Sequence, residues 1–479
     1  MSATSLIQKD PNGVRRALIL AGGGVRLAYQ AGVLQALAEK GLQFGHFDGT
    51  SGGIFNTAML ASGLDPDEMA RRWRSLRLKD FMSTLPIKDY FKVGRTPALG
   101  DADGLRQKVF PALGIDLEKI RSNTEITATF NVCNFSEKSI ESIPHRQVTE
   151  DHLIAGMSLP MFMPAIQING DWYSDAVWIK DANLMEAVRR GAEEIWLVWA
   201  IGNSNAYLPG FFNQYVHMIE MSANGGLLEE YAQIKSLNER ILKGDSPFGQ
   251  RSPVQLHVIR PVFPLPLDPD LLDQKTTTNT LINGGYADAR KYLGRIPENG
   301  IAFDTASTKM KEPGVTLHFR QHYAGTPAFG DSKSFVSYRP AFHFRRWGHE
   351  VALDVDASVF VATLGREIAT FNNKAELKRG PQGAYIQVTS EFEHDRQIYA
   401  LQATIRLGTP IEWWLGLEFK RVKLQIDRNT ENLLHGQLTQ SIKKRFKGIL
   451  NSSLRHFYGP GGNLREKRRM IFYLYRHEI

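Results

Sequence analysis

Two periodicities share this chain, and the change between them near residue 300 limits the folds it can adopt. Up to that point, short apolar runs ending in glycine or a turn alternate with segments whose apolar residues recur every three or four positions. "RALILAGGG", from Arg16, is a buried-strand run, and "RLAYQAGVLQALAEKG" places Leu27, Ala31, Leu34 and Leu37/Ala38 at helical spacing before Gly41. "FGHFDGTSGG" predicts a second short strand with a sharp exit, and "IFNTAMLASG" a helix stopping at Gly63. "EITATFNV", "EEIWLVWA" and "VQLHVIRP" read as further strands, with helices over "NLMEAVRRGA", 211–243 and 278–294. Strands alternating with helices imply parallel βαβ units, hence an α/β sheet covered on both faces. After "RIPENG" and "KEPGV" the pattern becomes apolar/polar alternation, as in "SFVSYRPAFHF", "GAYIQVTSEF" and "RQIYALQATIRLG". That period of two marks antiparallel strands with one wet face. Past Asn432, Leu434, Leu438, Ile442, Phe446 and Ile449 share one helical stripe. The expected organisation is an N-terminal extension (1–15), an α/β domain (16–305), a β-rich domain (306–431) and a basic, partly helical segment (432–479). The C-terminal part is thus of α+β class, and the main boundary lies near 300–312.

Composition narrows the function classes. Of 479 residues 42% are apolar and 23% charged, with no low-complexity tract, so a folded protein is expected throughout. The single cysteine, Cys133, excludes an intramolecular disulfide and leans towards a reducing, cytoplasmic setting. No apolar run near the start has the form of a signal peptide, and the densest apolar window, "IWLVWAIG" from Ile195, is far too short to span a bilayer. Any membrane contact is expected to be peripheral, at the inner surface. The net charge of +8 belongs to the C-terminal part, where residues 441–479 hold 10 Lys+Arg against 2 Asp+Glu. Such a segment is attracted to phosphates on an anionic membrane or a nucleic acid, or is a solvated basic face. Nucleic acid rests on this feature alone and is disfavoured. Nothing in the sequence indicates an oligomeric state.

The chemistry concentrates in two glycine clusters. Gly49-Thr50-Ser51-Gly52-Gly53 is the chain's one match to G-x-S-x-G, the nucleophile elbow, in which a serine sits on a tight strand-to-helix turn between very small neighbours. Gly22-Gly23-Gly24-Val25-Arg26 ends the first strand and opens the first helix, so successive amides are placed to bind an anion. As a dinucleotide loop it fails, because the third fingerprint glycine is replaced by Leu27 and no GKS or GKT phosphate loop exists elsewhere. As an oxyanion hole it needs only to lie near Ser51. The serine also needs a base. His217, His257, His318 and His322 are available by type but sit in no recognisable setting. In "AIQINGDWYSDAVWIKDANL", Asp175 follows a short strand pair, and a buried carboxylate beside a serine accepts its proton without histidine. Asp171 and Asp181 compete with it by spacing and read as turn or helix-capping residues.

In their order, these motifs resemble the patatin-like phospholipase family of lipid acyl hydrolases over roughly residues 15–300. "AYQAGVLQALAEKG", "AGMSLPMFMPAIQINGDWYSDA" and "GYADARKYL" carry further likeness. The resemblance implies a patatin-like sheet flanked by helices, with Ser51 as nucleophile and Asp175 as its base. The amides around Gly23 and Gly24 would hold the oxyanion, with Arg26 shaping the loop. It implies phospholipase A or lysophospholipase chemistry on lipid through an acyl-enzyme at a membrane surface, with no cofactor and no metal. Two positions depart from the family, Leu27 after the arginine and Ala176 after Asp175, where glycine is usual. They keep open an alternative, a catalytically weak or inactive lipid-binding scaffold on the same fold. The β-rich C-terminal part resembles no family identified in the sequence.

Overall fold

The strands and helices of the first 300 residues assemble around one mixed sheet. The computed structural model describes residues 5–8, 13–76, 81, 83–84, 98, 100–203, 207, 209–265, 278–310, 315–347, 350–381, 383–407, 421–429 and 431–440. The chain divides into two units, Met1–Lys311 and Glu312–Ile479.

In the N-terminal unit the strands are β1 (Arg16–Leu20), β2 (His46–Thr50), β3 (Thr127–Asn134), β4 (Ser139–Pro144), β5 (Ile166–Ile168), β6 (Asp171–Asp175), β7 (Glu194–Val198) and β8 (Gln255–Ile259). Their order is β8-β7-β1-β2-β3-β6-β5, with β4 also on β3. The five strands from β8 to β3 are mutually parallel. Helices α1 (Ala28–Glu39), α2 (Gly53–Ala61), α3 (Glu150–Met157), α4 (Leu184–Arg189), α5 (Phe211–Leu242) and α6 (Thr278–Leu293) flank the sheet. Alternate residues of one strand feed opposite faces, as a pleat requires. Leu18 and Leu20 join the cluster holding Leu34, Leu281 and Ile282, whereas Ala17 and Ile19 join the one holding Leu184, Ala223 and Leu227. This is why these strands read as continuous apolar runs.

The expected all-parallel pattern fails at β4, β5 and β6, which are antiparallel. The connections explain it. Asn169 and Gly170, with φ of +53° and +100°, make a two-residue hairpin, too short for the crossover a parallel pair needs. Thr129–Asn134 of β3 pairs with β4 along one edge. The opposite edge is shared end to end: β2 pairs as far as Thr50–Asn131, and β6 takes over from Val132–Asp175. The ends of β2 and β6 therefore meet.

One boundary differs from expectation. Leu6 is buried in the core and Phe44 bonds to both Leu6 and Gln8, so this part of the N-terminal extension belongs to the domain. The other boundary, at Lys311, falls within the expected 300–312, where Met310 donates its amide to the Asn203 carbonyl at 2.8 Å and Phe303 is buried.

The C-terminal unit is an antiparallel sheet of β9 (Val315–Arg320), β10 (Tyr323–Gly325), β11 (Val336–Trp347), β12 (Glu350–Val361), β13 (Glu367–Ala369), β14 (Phe371–Gly380), β15 (Gly383–His394), β16 (Gln397–Arg406), β17 (Arg421–Arg428) and β18 (Glu431–Gln440). The order is β13-β12-β11-β10-β18-β17-β16-β15-β14, with β9 on β11. Tyr399, Leu401, Ala403 and Ile405 of β16 and Val422, Leu424 and Ile426 of β17 alternate inward into one core. Among the described residues the expected β-rich domain is an all-antiparallel sheet. The helix expected past Asn432 is corrected, since Leu434 and Leu438 lie buried on β18, paired with β17. A spacing of four suits one helix face and one strand face equally, so these leucines satisfy both periods. Ile442, Phe446, Ile449 and the basic segment 441–479 lie outside the described residues. Among the described residues no helix is long and apolar enough to cross a membrane.

Helices α1 and α6 touch backbone to backbone. A Cβ on Gly32 would stand 1.8 Å from the Ile282 carbonyl oxygen, and one on Gly285 would stand 1.9 Å from that of Tyr29. Gly32→Ala or Gly285→Ala should therefore force the helices apart and cost about 1–3 kcal/mol. Urea unfolding of the N-terminal unit, followed by circular dichroism, measures this.

Candidate active site

Ser51 is the first residue beyond β2 and has φ of +51°. A left-handed serine costs on the order of 1–3 kcal/mol and persists only where its surroundings over-determine it. Those surroundings are the glycines. A Cβ on Gly53 would stand 2.0 Å from the Leu20 carbonyl oxygen, one on Gly49 2.5 Å from Thr57 Oγ1, and one on Gly52 1.9 Å from Leu27 Cδ1. The small positions are thus set by close neighbours, and the strained residue is the serine itself. Helix α2 starts at once, with Ile54 donating its amide to the Ser51 carbonyl at 3.0 Å, so Ser51 sits at the positive end of the helix.

Asp175 ends β6 and opens a short helical turn, Ala176–Trp178. Because β2 and β6 meet on one edge of β3, its carboxylate reaches Ser51, whose Oγ donates to Oδ2 at 2.6 Å. The other oxygen accepts the Val177 amide at 2.9 Å. Both residues are buried, Ser51 at 7% exposure and Asp175 at 1%. Burial pushes the Asp175 carboxyl up to about 7, and the charge of Asp181 adds to this, while the bonds from Ser51 and Val177 oppose it. Ala176 is fully buried and has no positive φ, so alanine occupies this position without backbone strain.

The glycine loop packs directly on the elbow. A Cβ on Gly22 would stand 2.9 Å from Ser51 Cβ, and Gly24 has φ of +62°. Of the five residues expected to form the oxyanion loop, two have amides already engaged. Gly22 donates to the Asp181 carbonyl at 3.1 Å and Arg26 to the Gly23 carbonyl at 3.3 Å. The amides of Gly23, Gly24 and Val25 have no partner among the described residues. Arg26 Nε also donates to the Gly23 carbonyl, at 2.9 Å. A trans peptide points its C=O and N–H to opposite sides, so this bond fixes the direction of the Gly24 amide. Leu27 is fully buried under the elbow, with its carbonyl accepting from Asn56 at 3.1 Å.

The remaining candidates, Asp181 apart, lie elsewhere. His217 bonds Glu220, His257 stacks on Trp196, His322 bonds Ser337, and His318 is on β9 of the other unit. Asp171 starts the hairpin strand β6. Asp181 sits at a bend in the loop before α4 but does not cap that helix, which Asn183 does; its fully buried carboxylate accepts the Trp199 indole N–H at 3.0 Å. Cys133 is buried on β3, and burial pushes its thiol up.

Sequence reasoning missed the polar network beneath the elbow. Asn131 Nδ2 donates to Asp48 Oδ1 at 2.6 Å and to Thr50 Oγ1 at 2.9 Å, while its Oδ1 accepts from Ser142 at 2.7 Å and Asn183 at 3.2 Å. Thr129 donates to Asp48 Oδ2 at 2.6 Å, and burial pushes Asp48 up to about 7. The available signal was polar Thr129 and Asn131 alternating within an otherwise apolar strand. Among the described residues no cluster of His, Cys, Asp or Glu is arranged to hold a metal.

Residues 18–188 match the model of the family described as patatin-like phospholipase. No curated protein matches the sequence. Among solved structures, the crystal structure of VipD from Legionella pneumophila is similar at 13% identity, over 61% of this chain and 71% of that one, with a TM-score of 0.32.

The network under the elbow should be expensive to break. Asn131→Leu leaves Asp48 and the Ser142 and Asn183 donors without their shared partner, and should lower stability by about 2–4 kcal/mol in urea unfolding. Asn131→Asp, which keeps the shape but adds a second carboxyl beside Asp48, should make that loss grow as pH rises.

Proposed function

We propose, from the match of residues 18–188 to the model of the patatin-like phospholipase family, a family of lipid acyl hydrolases, that Ser51 and Asp175 are the catalytic dyad of this chain. The observation that carries this reading is the 2.6 Å hydrogen bond from Ser51 Oγ to Asp175 Oδ2, made in a buried site by a serine held at a positive φ. Ionised Asp175 takes the Ser51 proton as Oγ attacks the ester carbonyl of a lipid. The tetrahedral oxyanion is held by the unpartnered amides of Gly23 and Gly24, with Arg26 fixing the loop, at the positive end of α2. The alcohol or lysolipid leaves with the proton from Asp175. Water, deprotonated by the same carboxylate, then releases the fatty acid from the acyl-enzyme. Substrates are acyl esters of phospholipid or lysophospholipid, cleaved at a membrane surface. The basic segment 441–479 draws the enzyme to anionic lipid, an attraction that salt weakens.

Leu27 and Ala176 do not count against catalysis here, since one fills the core under the elbow and the other takes up its turn without a positive φ.

Ser51→Ala and Asp175→Asn should each reduce fatty-acid release from phospholipid vesicles by about a thousandfold or more, with circular dichroism unchanged. Retained turnover in the Ser51 variant would exclude the dyad. Wild-type kcat/KM should also fall as pH drops through about 7, because the base acts only when ionised and burial has raised its pKa to that value. A pH–rate profile with an acidic limb nearer 4 would mean that another group is the base.

A further inference from the structure

Asp181 is a buried acid that the mechanism above does not use. It lies in the loop between β6 and α4, fully buried, and its two oxygens differ sharply. Oδ2 accepts the Trp199 indole, whereas Oδ1 has no hydrogen-bond partner. The Gly22 amide, which lies close, is bound to the Asp181 main-chain carbonyl instead. Oδ1 faces the dyad across Gly22: a methyl there would stand 2.3 Å from Asp181 Oδ1 and 3.3 Å from Ser51 Oγ. Gly22 is thus the spacer that lets a second carboxyl approach the nucleophile.

Two carboxyls buried on either side of one glycine resist being ionised together. The donors decide which one keeps its proton. Asp175 receives two hydrogen bonds, from the Ser51 hydroxyl and the Val177 amide, and each favours its anion. Asp181 accepts the Trp199 indole on Oδ2, and the nearby Gly22 amide also favours its anion, but that amide's hydrogen bond runs to the main-chain carbonyl, so Oδ1 has no aligned donor and burying it as an anion carries a desolvation cost that a proton removes. The charged groups acting on Asp181 are Asp175 and Arg26. Arg26 favours the anion, but it is partly exposed and its Nε is committed to the Gly23 carbonyl. Burial pushes Asp181 up to about 7, in keeping with a carboxyl that retains its proton readily.

We propose that Asp181 is a positioning residue for the dyad: it stands as a neutral acid, with its proton on Oδ1, so that the pair's single negative charge rests on Asp175 against Ser51. This rests on the assignment of Ser51 and Asp175 as the dyad. Its consequence is an alkaline limit to activity. When Asp181 loses its proton, a second negative charge appears beside the place where the substrate oxyanion develops, and the transition state is destabilised.

The test compares kcat/KM for fatty-acid release between pH 5 and 10 in full-length wild type and Asp181→Asn, whose amide imitates the neutral acid. The variant should keep neutral-pH activity to within about threefold and lose the alkaline limb. An unchanged alkaline limb, or a loss of roughly a hundredfold at neutral pH in a folded variant, overturns the proposal. Trp199→Phe supplies a second arm that leaves Asp181 in place. Without its one donor the anion is less favoured, so the alkaline limb should move up by about one pH unit; no movement also overturns it. Infrared difference spectra of wild type minus Asp181→Asn read the proton without any substrate. A protonated-carboxyl band at pH 7 supports the neutral acid and its absence refutes it, and subtraction removes the contribution of Asp48. If wild type hydrolyses no ester, the dyad reading has failed, and the infrared result still decides the protonation of Asp181.

Discussion

The candidate site depends on how one edge of one strand is shared. β3 offers its edge first to parallel β2 and then to antiparallel β6, with the handover between Asn131 and Val132. Two strands that enter from opposite ends therefore finish facing each other. The residue that ends β6 is Asp175, and the one that follows β2 is Ser51. A register slip of one residue in either strand would turn the two side chains to opposite faces of the sheet. The contact is thus guarded by the backbone ladder and by the cores on both faces, rather than by the dyad's own hydrogen bond.

The same arrangement brings three carboxyls, Asp48, Asp175 and Asp181, into the interior, each pushed up to about 7 by burial. Such groups work against folding at neutral pH. An unfolded aspartate releases its proton near 3.9, while the folded one keeps it to about 7, so their contribution to stability is greatest at acid pH and falls as pH rises between those values. Glu193 acts in the opposite sense, because hydrogen bonds from Arg251 and Arg15 hold its carboxyl far below the usual range. The polar network around Asn131 limits the cost at Asp48 by supplying donors to both of its oxygens. Burial that destabilises the fold near neutrality is also what makes a carboxylate basic enough to take a serine proton.

Much of this could be read from residues. The apolar runs at Arg16 and Ile195 and the helical spacing from Leu27 predict a parallel sheet with covered faces, and five strands form one. The glycines around Ser51 predict crowding, which the neighbouring Leu20 carbonyl, Thr57 and Leu27 supply. Other features are not local. That β4, β5 and β6 run antiparallel depends on turn lengths, and the pairing of Asp175 with Ser51 depends on which edge β6 selects. Asp181 reads as a turn residue because its partner, Trp199, lies just beyond a distant strand, β7. Leu434 and Leu438 fit two periods at once, and only the presence of β17 beside them decides for a strand. The glycine loop at 22–26 was legible as a cluster, but the engagement of the Gly22 and Arg26 amides needed three-dimensional neighbours to see.

The proposed base rides on the outermost hairpin of the sheet. β6 joins the sheet through three paired residues, Val132, Cys133 and Asn134, with further hydrogen bonds from Phe135 to Trp172 and from Asp175 to Ser158 and packing against α3, and among the described residues β5 has no neighbour beyond it in the sheet. The serine stands instead at the end of a strand flanked on both sides by parallel partners. Ser51 and Asp175 therefore belong to regions of unequal local stability. Fraying of the hairpin would withdraw the carboxylate while the parallel core and the elbow stay intact, so that loss of function becomes a local, reversible opening that precedes unfolding of the domain.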